Sequence, residues 1–330
     1  NFTLTLGSDS SDLSIQDNVT INASTEGVIT GGADFQLSGS FSASDGSLTS
    51  TGGEISLLEG GQLSSSGKLD VTDSTWILSG DFSKSGGTLT ISETDFQLES
   101  SSTLTSDESL SFVTLNLNDF ILTLGSSSSD LIVQNAVTID TSTEGISTGE
   151  ADLTLQELLN LISGEISSTN GIVTFSAGGN ISGGELDVTG STWIMGGDLE
   201  KTGGNITVSN SNFSLSDNSI TLTSDQALSF STLDLNYKTL TLGSATSDFT
   251  VTDPITISAS TEGISSGEAD LTFEGFLIID GEGSVESSAG KISLVQGGRL
   301  SGEGLLDVTG SNWVLGGDFV KRTSASSDSS

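Results

Sequence analysis

The residues that could do chemistry in this chain are its acids, and they recur. Asp12, Asp130 and Asp248 occupy equivalent places in three copies of one long repeat. So do Glu26, Glu144 and Glu262, and Asp34, Asp152 and Asp270. Two further sets are Asp70, Asp187 and Asp307, and Asp81, Asp198 and Asp318. Carboxylates gathered at turns suggest calcium, which takes six or more hard oxygens. On that reading Asp12, Asp130, Asp248, Asp81, Asp198 and Asp318 are corner ligands of weak calcium sites. The competing reading is turn chemistry, because Asp in a turn accepts hydrogen bonds from nearby backbone. No EF-hand loop and no GGxGxDxUx nonapeptide is present, which favours turn chemistry and diffuse cation screening. No cofactor is required on either reading.

Paired carboxylates also serve glycoside hydrolysis. An active site should stand out as a local departure from the repeat, and the acids instead follow the frame. The chain has no His and only 8 Lys and Arg. The expectation is that it is not an enzyme, a polysaccharide-degrading β-helix being the remote alternative. Trp76, Trp193 and Trp313 could stack on sugar rings, but Trp76 shares its strand face with Leu78, as core packing requires. Lys84, Lys201 and Lys321 are the bases that recur in all three copies, each three residues after Asp81, Asp198 or Asp318. A local ion pair at a corner is expected. Asn-x-Ser/Thr triplets occur at Asn1, Asn18, Asn22, Asn180, Asn205 and Asn212, as chance allows in so Ser/Thr-rich a chain.

The elements that position these residues follow from the repeat. LTLGSDSSDLSIQDNVTINASTEG from Leu4 returns from Leu122 and from Leu240, each step being 118 residues. The LDVT[DG]S[TN]W blocks end at Trp76, Trp193 and Trp313, so small insertions and deletions fall in the Gly/Ser-rich turns between. Copies cover 1–118, 119–236 and 237–322, the third truncated. The chain reads as a processed form or a piece of a longer array, and 323–330 as a disordered Ser-rich tail.

Apolar residues alternate within each copy: Leu4/Leu6, Leu13/Ile15, Val19/Ile21, Phe35/Leu37, Leu69/Val71, Leu110/Phe112. Alternation marks strands with one buried face. Gln156 to Ser163, the one helix-like run, fills a slot that is strand-like in the other copies and is read as strand. About 17 strands per copy, near 7 residues apart, leave too little room for hairpins. Asn-Gly and Asp-Gly turns are scarce. The expected fold is all-β, a right-handed parallel β-helix (β-solenoid) with about three short strands per coil and roughly 20 residues per coil. A copy is then near six whole coils, and residues 1–322 form one continuous solenoid. A slip of one residue inside a strand would turn its buried face outward, which explains the strict step.

Net charge is −36 from 44 acids. That excludes nucleic acid as a partner, since phosphate recognition relies on Lys and Arg. It disfavours anionic membranes. No run of about 18 apolar residues exists to span a bilayer. Cys is absent, which rules out disulfides and thiolate metal sites.

The long Ser/Thr/Gly/Asp-rich copies, the LTLGS…STEG and LDVTGSTW blocks and the missing Cys resemble the repeat regions of large bacterial surface proteins, filamentous-haemagglutinin-type adhesins among them. The resemblance implies an extracellular, load-bearing or spacing role: a segment of a stalk, fibre or filament at the cell surface. Its expected partner is itself, head to tail or side by side. The alternative is an adhesin or phage-fibre-like module that binds cell-surface or matrix polysaccharide.

Overall fold

A computed structural model describes residues 2–322; the stretch 323–330, expected to be disordered, lies outside them. The described residues form strands of three to five residues joined by turns and bends, with no helix. The strands pair in parallel and stack as a β-solenoid of about 15 turns, roughly 21 residues per turn. The expected all-β, parallel β-solenoid with roughly 20 residues per coil is what the described residues form. The Gln156 to Ser163 run holds the strand Leu159–Leu161, with both leucines buried.

Two compact units divide at Ile172 and Val173. In the first, successive strands pass to three different sheets in turn. One sheet stacks Thr3–Thr5, Gly27–Gly31, Ser47–Thr51, Lys68–Thr72 and Thr88–Ser92. The next stacks Leu13–Ile15, Phe35–Leu37, Glu54–Leu57, Thr75–Leu78, Asp95–Leu98 and Thr114–Asn116. The third begins with Val19–Ile21 and Phe41–Ala43 and includes Phe82–Lys84, Ile121–Leu124 and Gly145–Gly149. The second unit has the same construction. One of its sheets runs through Gly179–Ile181, Leu199–Lys201, Ile220–Ser224, Thr239–Leu242 and Gly263–Ser265.

The alternation sets the core. Phe35, Ile55, Trp76 and Phe96 are in register on successive coils, and none is exposed. Leu37, Leu57, Leu78 and Leu98 form the parallel row beside them. Each such side chain contributes about 1.5–3 kcal/mol by leaving water. Trp76 meets Phe82 and Phe96 edge to face, with ring centroids 5.0 and 5.4 Å apart, and Phe96 stacks on Phe112 at 4.5 Å. In the second unit Trp193 packs edge to face on Phe213 at 5.6 Å.

Corners need glycine where coils touch. Gly60, Gly178 and Gly297 have φ near +67°, +83° and +82°. A Cβ on Gly60 would lie 2.0 Å from the carbonyl oxygen of Asp81, and on Gly178 2.0 Å from that of Asp198. No L side chain fits either place.

The near-six coils expected per copy fall short of a whole number by one strand. Seventeen strands begin within residues 1–118, from Thr3–Thr5 to Thr114–Asn116. At three strands per coil that is one strand short of six coils. The strand carrying Leu4 therefore lies in the first sheet, while its equivalent carrying Leu122 lies in the third. The 24-residue opening block is itself one long coil: Thr3 pairs with Gly27, and Ile121 with Gly145. The strict step conserves a count of strands rather than a return to the same wall.

Candidate functional site

The recurring acids sit at the corners, as their sequence context requires, but they face the neighbouring coil. The Asp12 Oδ1 accepts the backbone N–H of Asp34 at 3.2 Å, and the Asp34 Oδ1 accepts that of Glu54 at 2.9 Å. Asp130 accepts from Asp152 at 3.0 Å, and Asp152 from Ile172 at 2.7 Å. In the third copy Asp248 accepts from Asp270 and Asp270 from Lys291, both at 2.8 Å. Asp81 and Asp198 take the N–H groups of Thr103 and Thr221 at 2.7 Å. Every such bond joins residues about one coil apart, at a turn where the strand ladder leaves an N–H without a partner. A carboxylate is the strongest acceptor available for it. Asp318 holds the same corner on the last described coil, where its backbone oxygen accepts from Gly298 at 2.9 Å.

Asp70, Asp187 and Asp307 act within their own turns. The Thr72 hydroxyl donates to Asp70 at 2.9 Å, and Thr189 and Thr309 donate hydroxyl and backbone N–H to Asp187 and Asp307. The Thr309 hydroxyl, then its N–H, hold the Asp307 carboxyl below its ordinary 3.8. The Gly281 N–H and the Ser301 hydroxyl do the same for Asp280.

Glu144 closes the long coil. Its Oε2 accepts the N–H groups of Asp140 at 2.9 Å and Thr141 at 3.4 Å, and its Oε1 that of Asp119, 25 residues earlier, at 3.3 Å. Glu262 repeats this with Ser258, Ala259 and Tyr237. Among the described residues no three acidic side chains converge as a metal would require.

The lysines differ from expectation. Lys84 does not pair within its own corner. Its side chain is 3% exposed and points inward, and Nζ contacts the Asp107 carboxylate of the next coil and the Glu108 Oε1 at 3.2 Å. Lys201 is buried in the same way and contacts Asp225. The partner is 23 or 24 residues on, so only the coil length reveals it. Burial pushes the Lys84 ammonium down, but the two carboxylates outweigh it and hold Lys84 above its ordinary 10.5. The lysine in turn holds Asp107 below 3.8.

Sequence reading also missed a buried row of hydroxyls. Ser50 and Ser74 meet at 3.1 Å, Ser74 accepts the Gly52 N–H at 3.0 Å, and Thr94 donates to the Val71 carbonyl at 2.6 Å. Ser129 accepts the Ser106 N–H, and Ser247 the Ser224 N–H, both at 2.8 Å. These small side chains satisfy the inner backbone groups of the corners, which would otherwise cost about 1–3 kcal/mol each.

Trp76 and Trp193 are wholly buried and present no ring face to a sugar; Trp313, on the last described coil, is 40% exposed. A shallow open groove in the second unit is lined by Glu286, Ser287, Ser288, Asp307 and Thr309. No family profile, curated protein sequence or solved structure matches this chain.

Proposed function

We propose that this chain is a non-enzymatic structural segment of an extracellular stalk, fibre or filament at a bacterial surface. The observation that carries the reading is the use of the recurring carboxylates. In thirteen of the fifteen recurring positions a carboxylate oxygen accepts a backbone N–H of an adjacent coil or of its own turn, and at Asp70 it accepts the Thr72 hydroxyl, which leaves them to hold the stack rather than a substrate. The shift of one strand per copy supports it as well, because equivalent residues turn to different walls instead of building one repeated binding face. Charge of −36 keeps such segments soluble and apart. Multivalent cations would relieve the repulsion and let copies associate with themselves, end to end or side by side.

Three measurements test this. Antibody against the chain should label intact, unpermeabilised cells of the producing bacterium; label confined to the cytoplasm would overturn the surface role. Negative-stain imaging of the purified chain should show elongated assemblies that grow with salt and concentration. Discrete particles under every condition would remove the filament version. Incubation with acidic polysaccharides should release neither reducing sugar nor unsaturated product.

The groove beside Asp307 favours a second reading, recognition of carbohydrate through acid and hydroxyl groups. Glycan-array binding that Asp307→Ala abolishes without unfolding would establish it over the spacer.

A further inference from the structure

We propose that Lys84 and Asp107 are the sites of an intramolecular isopeptide cross-link between successive coils, with Glu108 carrying the proton. Four observations lead there. The Lys84 side chain is 3% exposed and reaches out from the core to carboxylates of the next coil that are themselves 48% exposed. It touches Asp107 directly. A second carboxylate, Glu108, stands 3.2 Å from the same nitrogen. The Asp107 neighbourhood is fixed on the inner side by the buried Ser106, whose N–H is held by Ser129.

Those are the requirements of a condensation. The ion pair must first neutralise: Nζ passes a proton to Glu108, Glu108 hands it to an Asp107 Oδ, and the free amine attacks Cγ of the carboxyl so formed. The Nζ–Cγ bond forms and one Cγ–Oδ bond breaks. The oxygen leaves as water with two protons that began on Nζ, one delivered through Glu108. Ammonium and carboxylate become amide and water, and no oxidant or co-reactant is needed. In dilute solution water drives this reaction backward. Held in contact by a folded core, the pair gains an effective molarity on the order of 10⁵ M or more, which turns the balance. A proton carrier within reach lowers the barrier.

The second copy supplies an internal control. Lys201 and Asp225 are placed alike, but Gln226 stands where Glu108 stands. Gln226 has no proton to carry and instead bonds both backbone groups of Ile206, at 3.1 and 2.7 Å. Lys201 and Asp225 therefore remain an ion pair.

Intact mass spectrometry of the full, folded chain tests this. The expected mass is the sequence mass less one water, with a branched peptide joining Lys84 to Asp107 in the fragment spectra. The branched peptide separates the cross-link from water lost by succinimide formation at Asp45 or Asp280. Lys84→Arg and Glu108→Gln should each restore the full mass while circular dichroism stays β-rich. A wild-type chain at full mass, or with its lost water elsewhere, overturns the cross-link. A branched peptide that persists in Glu108→Gln, or a second one joining Lys201 to Asp225, overturns the role given to Glu108.

Discussion

Removing the Glu144 carboxylate should loosen one coil and leave its distant equivalent intact. Glu144 is 9% exposed and accepts three backbone N–H groups, two in its own turn and one at the start of the coil. In Glu144→Ala all three lose a charged acceptor. Hydrogen bonds to charged groups contribute about 1.5–3 kcal/mol each when buried. The donors Asp119 and Asp140 are exposed, so water recovers much of the loss. The net cost is then about 2–3 kcal/mol for the turn as a whole. That is an increase of about 30- to 140-fold in local opening. Hydrogen exchange resolved by peptide reads it directly: the amides of Asp119, Asp140 and Thr141 should accelerate by that factor. Those of Tyr237, Ser258 and Ala259, held by Glu262, should not change. Glu144→Gln keeps one acceptor oxygen without the charge and should fall between. Unchanged exchange at all three amides in Glu144→Ala would refute the assignment of Glu144 as the closure of the coil. Global unfolding would refute the local size of the effect.

Other outcomes follow from the same contacts. Trp76→Ala should cost about 3–5 kcal/mol in denaturant titrations. Trp76→Phe should cost far less, because the indole N–H it removes has no acceptor. Iodide should quench the fluorescence of Trp313 and spare that of Trp76 and Trp193, which are wholly buried. Asp307 has a folded pKa below its ordinary 3.8, so its contribution is present above 3.8 and is lost as pH falls through the depressed value. Asp307→Asn should therefore flatten the fall of melting temperature in that acid range. One residue inserted within Leu131–Val133 should unfold the local coils by turning one of the two buried side chains outward, as circular dichroism and proteolysis would show. The same insertion at Asn170-Gly171, in a turn, should be tolerated.

The fold was legible because its signal is local. Leu131 and Val133, or Phe35 and Leu37, alternate within three residues, and the gaps between such pairs allow no hairpin. Equivalence with the strand-like slots of the other copies gave the Gln156 to Ser163 run as strand, and it holds Leu159–Leu161. What escaped depends on the coil length to within a residue. The partner of Lys84 is 23 residues away and that of Lys201 is 24, so a sequence reading settles on the nearer Asp81 and Asp198. The Asp corners were found but not their target, because the accepting oxygen is visible in sequence and the orphan N–H a coil away is not. Buried serines such as Ser50 and Ser129 read as turn residues, since serine at a corner carries no mark of facing inward. The strand count per copy was within reach of the sequence; its remainder on division by three was what moved Leu122 to a different wall from Leu4.

The recurring carboxylates act as acceptors for the next coil. The melting temperature of the Asp12→Asn, Asp130→Asn, Asp248→Asn variant, with calcium and with a chelator at matched ionic strength, tests this most directly. Asn keeps an Oδ1 acceptor of the same shape and loses the charge that a metal needs. The variant should stay β-rich and melt within a few degrees of the wild type, with no calcium-specific rise in either protein. A saturable rise with calcium in the wild type that the variant lacks would contradict it and return those aspartates to metal binding.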